Sequence, residues 1–279
     1  MVADIKKQTK RNNLLIPHER RNLIEHDVAK DQLRDKSVII CPDTNVLIRM
    51  IKIEKYDKRN EGNANYLKQL EHCLFDIDKW FSQIKVCKKL FSMNEIGWVI
   101  SQQVLEEISN SRDGFFNLEN YRNNLKSAEK SSPPELQKII HSAVKKFDKL
   151  IKEATEARRQ IIDDLIFLQG TSDHVSAAWE LVRDGDFPND KKNSKTQDKQ
   201  QMKDSVILCH LLDFHINIKK PLFFWTFDMF GRGQGEKPAS QFFIKTRKDS
   251  ISIIYDIRDA LSKIKEIQKS KISLNLSGA

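Results

Sequence analysis

Residues that interrupt regular structure are scarce in this chain. Its 279 positions hold only 9 glycines and 7 prolines, a balance that favours helix over an all-β sandwich. Cysteine is scarce as well. Cys41, Cys73, Cys87 and Cys209 show no CxxC spacing and stand in apolar surroundings, which suits reduced core residues in a cytosolic protein. No apolar run approaches the roughly 20 residues that a membrane helix needs, and the opening MVADIKKQTKRNN lacks the apolar core of a signal peptide. The expectation is a cytoplasmic protein without membrane contact. P-loop, HExxH and GxSxG patterns are all missing. GRGQGE at 231–236 lacks the full GxGxxG register and the acid that should follow it, which excludes a dinucleotide site.

Charge is plentiful. Charged residues make up 31% of the chain and hydrophobic residues 39%, with a net charge of +9 and a pI near 9.2. A globular domain with a well-solvated surface follows. The basic excess fits two readings equally: a polyanion partner, because lysines laid on phosphates release condensed counterions, or a solvated basic surface alone.

Residues 1–36 read as a basic arm or helix, with KKQTKR at 6–11. SVIIC at 37–41 reads as a strand. A long amphipathic helix follows through Tyr66, Leu67, Leu70, Leu74, Ile77, Phe81 and Ile84. WVIS at 98–101 is a second strand and VLEEI at 104–108 the start of a helix. Residues 114–134 are polar and end in a break at Ser131–Pro134. A helix led by Leu136, Ile139, Ile140 and Val144 then runs on toward Phe167, and another begins near TSDH at 171–174. A lysine-bearing loop at 183–201 precedes the helix DSVILCHLLDFHI, opened by Asp204. PLFFWTF and SISIIYDI supply further strands, and a charged helix and tail occupy 261–279. Strands alternating with helices imply an α/β domain over residues 37–260, with a parallel sheet and a mostly helical insertion at about 110–200.

Ligands of such sheets gather outside the carboxyl ends of the strands, and four acids stand in matching places. Asp43 follows the first strand, Glu107 lies in the turns after WVIS, Asp204 opens its helix, and Asp228 ends PLFFWTF. Each alone has a plain structural use as a cap, a turn or an exposed helix face. Together they suit a hard divalent cation, Mg²⁺ or Mn²⁺, which relieves their mutual repulsion and accepts phosphate oxygens. A metal so held can activate water for in-line attack on a phosphodiester, leaving a 5′-phosphate and a 3′-hydroxyl. Thr44, Asn45 and Thr226 are placed to hydrogen-bond an acid or a phosphate oxygen, or to cap local backbone. Lys191, Lys192 and Lys195 are candidate phosphate guides, or part of a solvated linker.

With these acids in place, the chain resembles the PIN-domain nucleases. PDTNVLI looks like that family's opening motif, VLEEI like its second with Glu107 as the ligand, KDSVIL like its third and WTFDMF like its fourth. The resemblance covers about residues 37–260. It implies a three-layer α/β/α sandwich, a divalent-metal site, RNA as the usual substrate and frequent homodimerisation. The span from Glu107 to Asp204, 204 − 107 = 97 residues, exceeds a minimal domain and is similar to larger bacterial PIN-like proteins with inserted helices. The activity implied is a metal-dependent endoribonuclease. Two alternatives stay open: a PIN-like module that binds RNA or protein without cutting, and a DNA-directed structure-specific nuclease. A haloacid-dehalogenase-type phosphatase is excluded, because it needs an aspartate where Asn45 stands. His210 and His215 read as core or surface residues rather than ligands.

Overall fold

The computed structural model describes residues 22–50, 65–108, 116–184, 186, 198–228, 239–246 and 248–277. The chain is an α/β protein built on one seven-stranded, mostly parallel sheet. Three strands form its middle: β2 (Val38–Pro42), β3 (Ile96–Ser101) and β5 (Leu222–Trp225), every residue of which is buried. Runs of that kind, apolar at consecutive positions, belong to strands covered on both faces. β2 lies between the other two, with Ile40 in register with both Trp98 and Phe223. β4 (Ile166–Leu168) flanks β3, and β7 (Ile251–Ile254) flanks β5. The edges are β1 (Leu23–Ile24), parallel to β4, and β6 (Gln241–Phe242), antiparallel to β7.

The strand order is β1-β4-β3-β2-β5-β7-β6. From β2 the chain steps outward through β3 to β4, then crosses back to β5 and β7 on the other side. Direction therefore reverses at β2, and a crevice opens at the carboxyl ends where such a reversal occurs.

Helices bury the sheet. α1 (His26–Gln32) follows β1, and α2 (Thr44–Arg49) follows β2. α3 (Asn65–Phe91) turns Ile77, Trp80, Ile84, Cys87 and Leu90 inward at helical spacing. α4 (Gln102–Ile108) leaves β3 directly. α5 (Phe116–Ser131) and α6 (Pro134–Asp164) pack against each other, and α6 also packs on α3. Trp80 of α3 meets Phe147 of α6 edge to face, ring centres 5.8 Å apart. α7 (Ser172–Asp184), α8 (Asp198–Ile218) and α9 (Ile257–Ser277) are the other helices among the described residues.

Several elements differ from the sequence reading. The polar stretch before Pro133, within the insertion expected to be mostly helical, is the helix α5, which buries Leu125 and Ala128 three residues apart. α6 stops at Asp164 and does not reach Phe167. Leu165 turns extended, at φ −65° and ψ 130°, and β4 begins. α8 starts at Asp198, six residues (204 − 198) ahead of Asp204, so that aspartate lies in the second turn instead of opening the helix. The first strand runs one residue further, and the strand around WVIS begins at Ile96. Lys191, Lys192 and Lys195 lie outside the described residues.

Hydrogen bonds to Lys220 and Gln169 help fasten the β1–α1 unit. Lys220 donates from Nζ to the carbonyls of Leu33 and Arg34, 2.6 Å each, filling acceptors that α1 leaves open at its end. Gln169 N–H donates to the Ile24 carbonyl at 2.9 Å, which extends the β1–β4 pairing. Among the described residues no helix is long and apolar enough to cross a membrane.

Candidate functional site

Asp43 emerges where β2 meets α2. Its backbone is extended, at φ −75° and ψ 165°, and its Oδ1 accepts the Thr44 N–H at 2.7 Å, so it is the N-cap of α2. Its Oδ2 accepts the Thr226 hydroxyl at 2.8 Å. Both oxygens are occupied and the side chain is 5% exposed. Burial raises its pKa to about 7, with Asp228 as the next largest cause and Glu107 adding to it. Hydrogen bonds from Thr226 and Thr44 work in the opposite sense.

The two residues after Asp43 reach to the other acids. Thr44 donates from Oγ1 to Glu107 Oε2 at 2.6 Å, and Asn45 donates from Nδ2 to Asp228 Oδ2 at 2.5 Å. Asp228 is in turn fixed by its own N–H, which donates to Thr226 Oγ1 at 3.0 Å. Thr226 thus accepts from Asp228 and donates to Asp43, joining the ends of β5 and β2. Gln103 Nε2 donates to Glu107 Oε1 at 3.4 Å, and Lys203 Nζ stands 3.9 Å from the same oxygen.

Three of the four predicted acids, Asp43, Glu107 and Asp228, therefore gather at the carboxyl ends of β2, β3 and β5, with Thr44, Asn45 and Thr226 between them. Glu107 is the glutamate of VLEEI that faces Asp43, whereas Glu106 bonds Gln102 Nε2 at 3.0 Å. Asp204 sits half-buried on α8, one residue past Lys203. Carboxylate oxygens are the donors that a hard cation prefers, so the residue types fit Mg²⁺ or Mn²⁺. Their spacing is wider than a chelate: among the described residues no group of three or more histidines, cysteines or acids converges closely enough to hold a metal ion.

A second polar cluster was not anticipated. His26 of α1, His174 of α7 and His210 of α8 stack, with ring centres 4.5 to 5.7 Å apart and planes within 23°. Thr171 N–H donates to His174 Nδ1 at 3.0 Å, so the proton of that ring is on Nε2, which faces Asp213 Oδ2 at 3.3 Å. His26 Nδ1 is 3.6 Å from the same Oδ2, and His26 Nε2 meets His210 Nε2 at 2.9 Å. A backbone hydrogen bond at Gln169 favours protonated His210, which identifies the carbonyl as acceptor. Two neutral imidazoles bring the two protons that the His26–His210 and His210–Gln169 hydrogen bonds need, and Asp213 stands beside His26 as a charge at 3.6 Å. Burial nevertheless holds His210 well below its ordinary pKa, and lowers His26 despite Asp213 beside it. Three rings from positions 26, 174 and 210 carry no shared local pattern, so only the fold reveals the cluster.

A cavity of about 300 Å³ adjoins these rings. It opens between α4, the β4–α7 turn and α8, with Gln102, Gln103 and Glu106 on one side and Ser172, His174 and His210 on another. No family model, curated protein or solved structure matches this chain.

Proposed function

We propose that this chain is a metal-dependent nuclease of the PIN-like kind, a three-layer α/β/α sandwich that hydrolyses RNA phosphodiester bonds. The observation that carries the reading is Asp43. It is a buried carboxylate raised to about 7 in the company of two further acids at the switch point of a parallel sheet. A helix cap needs neither the burial nor the neighbours. Asp43, Glu107 and Asp228 would hold the cation, with Asp204 contributing from α8. When bound, Mg²⁺ or Mn²⁺ supplies Lewis acidity and a more acidic water. Thr44, Asn45 and Thr226 aim the carboxylates. Lys203, partly exposed beside Glu107, is placed to meet an incoming phosphate.

The wide spacing of the acids favours a second reading, a module that binds nucleic acid without cutting it. One experiment separates the two: cleavage of labelled single-stranded RNA, with a DNA of the same sequence alongside, in Mn²⁺, Mg²⁺ or EDTA. Wild type is expected to cut the RNA only with metal. Asp43→Asn is expected to lose at least about a hundredfold in rate, on the order of one removed electrostatic element of an active site. Equal cutting by both chains would remove Asp43 from the chemistry. Salt-sensitive RNA binding by both without cutting would select the binding module.

A further inference from the structure

The cavity beside the histidines is not part of the acid cluster, yet it touches it through one residue. Gln103 lines the cavity and donates to Glu107. Whatever enters the cavity therefore lies next to whatever is held by the acids.

The lining defines what that is. Among the described residues that line it there is no lysine or arginine, so a phosphate has no counter-charge there. Two carboxamides, two hydroxyls and one carboxylate suit a neutral ligand rich in hydrogen-bonding edges. The imidazoles form wall rather than reactive groups. Both nitrogens of His174 and both of His210 are engaged by Thr171, Asp213, His26 and Gln169. A flat ring beside valines and imidazoles, with polar edges directed at amides, is the shape of a nucleobase.

Glu106 narrows the choice. A carboxylate accepts and never donates while ionised, and Gln102 fills only one of its several acceptor positions. Guanine presents N1–H and its 2-amino group side by side, which match the two oxygens of a carboxylate. Uracil offers one N–H between two carbonyls, and those oxygens would face the carboxylate unfavourably.

A path leads outward from the cavity. Val175 lines its rim, and Trp179 lies one turn further along α7, on the same helix face. Trp80, Trp98 and Trp225 are at most 3% exposed, but Trp179 is 60% exposed. An indole left open beside a polar cavity is the stacking platform that single strands use.

We propose that this cavity is a base pocket for guanine in a single strand, read by Glu106, with a neighbouring base stacked on Trp179. The proposal builds on the nuclease reading by assigning the nucleotide next to the one held at the acids. It is tested without metal, so that cleavage plays no part. Fluorescently labelled trinucleotides ApGpA and ApUpA are titrated in EDTA against wild type, Glu106→Gln and Trp179→Leu, with anisotropy as the readout. Both positions are exposed, so the variants keep the core intact. Wild type is expected to prefer ApGpA by about tenfold, the scale of one hydrogen-bonded pair with a charged group. Glu106→Gln should erase the preference. Trp179→Leu should weaken both ligands by about tenfold or more, the scale of one stacked base. Equal affinity for the two trinucleotides, or a preference indifferent to Glu106→Gln, overturns the pocket. A chain that cuts RNA in Mn²⁺ yet binds both alike keeps its nuclease activity and loses the pocket. A chain that discriminates without cutting does the reverse.

Discussion

Asp43 holds a helix end with one oxygen and the end of the neighbouring strand β5 with the other, by way of Thr226. Both hydrogen bonds favour the charged carboxylate, and burial, with Asp228 beside it, opposes them and prevails. Folding raises its pKa from 3.8 to about 7, so between those values the folded chain binds more protons than the unfolded one. Stability therefore falls as pH rises through that window. Asparagine keeps the cap through its Oδ1 and removes the charge, with its Nδ2 donating to Thr226 Oγ1 where the carboxylate accepted. In EDTA, Asp43→Asn is expected to be more stable than wild type at pH 8, by on the order of 2–4 kcal/mol, with the gap closing toward pH 4. Urea denaturation at both pH values checks this, and parallel curves for the two chains would contradict it. Asp43 and Asp228 stood out in the sequence because each closes an apolar run, SVIICP and PLFFWTF. The choice of Glu107 over Glu106 rested on the family motif, and the geometry separates them: one faces Asp43, the other the cavity. Asp204 was placed at a helix start because VILCHLL is the first apolar stretch there, but the polar DKQQMK before it is already helical.

Elements were legible in proportion to their length. α3, α6, β2, β3 and β5 carry enough apolar residues in period to declare themselves. β4 has three residues and continues the apolar pattern of α6, so periodicity alone merges the two. β1 and β6 have two residues each, too few for any alternation, and exist because a neighbouring strand offers its edge. Gly97 shows how closely one such attachment is made. A Cβ there would come within 2.4 Å of Leu33 Cδ2 and 3.0 Å of Ile39 Cδ1, and both residues are buried. With a side chain at position 97, Leu33 would have to leave its present place between β3 and the end of α1. Gly97→Ala is expected to cost about 1–3 kcal/mol as Leu33 is driven from its site. Unfolding in denaturant measures the loss, and Gly97→Ala with Leu33→Ala should recover part of it; a fully additive double variant would show that the two positions do not meet.

Over the molecule as a whole, the histidine stack ties the amino-terminal β1–α1 unit to α7 and α8. His26 faces Asp213, His174, His210 and its neighbour Asp27. Folding lowers the pKa of His26 and His210, so below about pH 6.5 the unfolded or detached state takes up protons first. The attachment is complete above that pH and weakens as pH falls. Hydrogen exchange at the Gln169 amide, corrected for its intrinsic pH dependence, is expected to quicken several-fold from pH 7.5 to 5.5, the signature of local opening. His26→Gln should reduce that pH dependence, leaving the part that His210 carries. Protection unchanged at pH 5.5 in wild type would show that the stack is not an acid-sensitive fastening.

Among the described residues the sheet also ends, on both sides, in strands two residues long. An exposed edge is an invitation to another chain, since its unpaired amides and carbonyls can seed further strands. A two-residue border offers almost nothing to copy. Among the described residues, then, the sheet's borders give a neighbouring chain little backbone to copy.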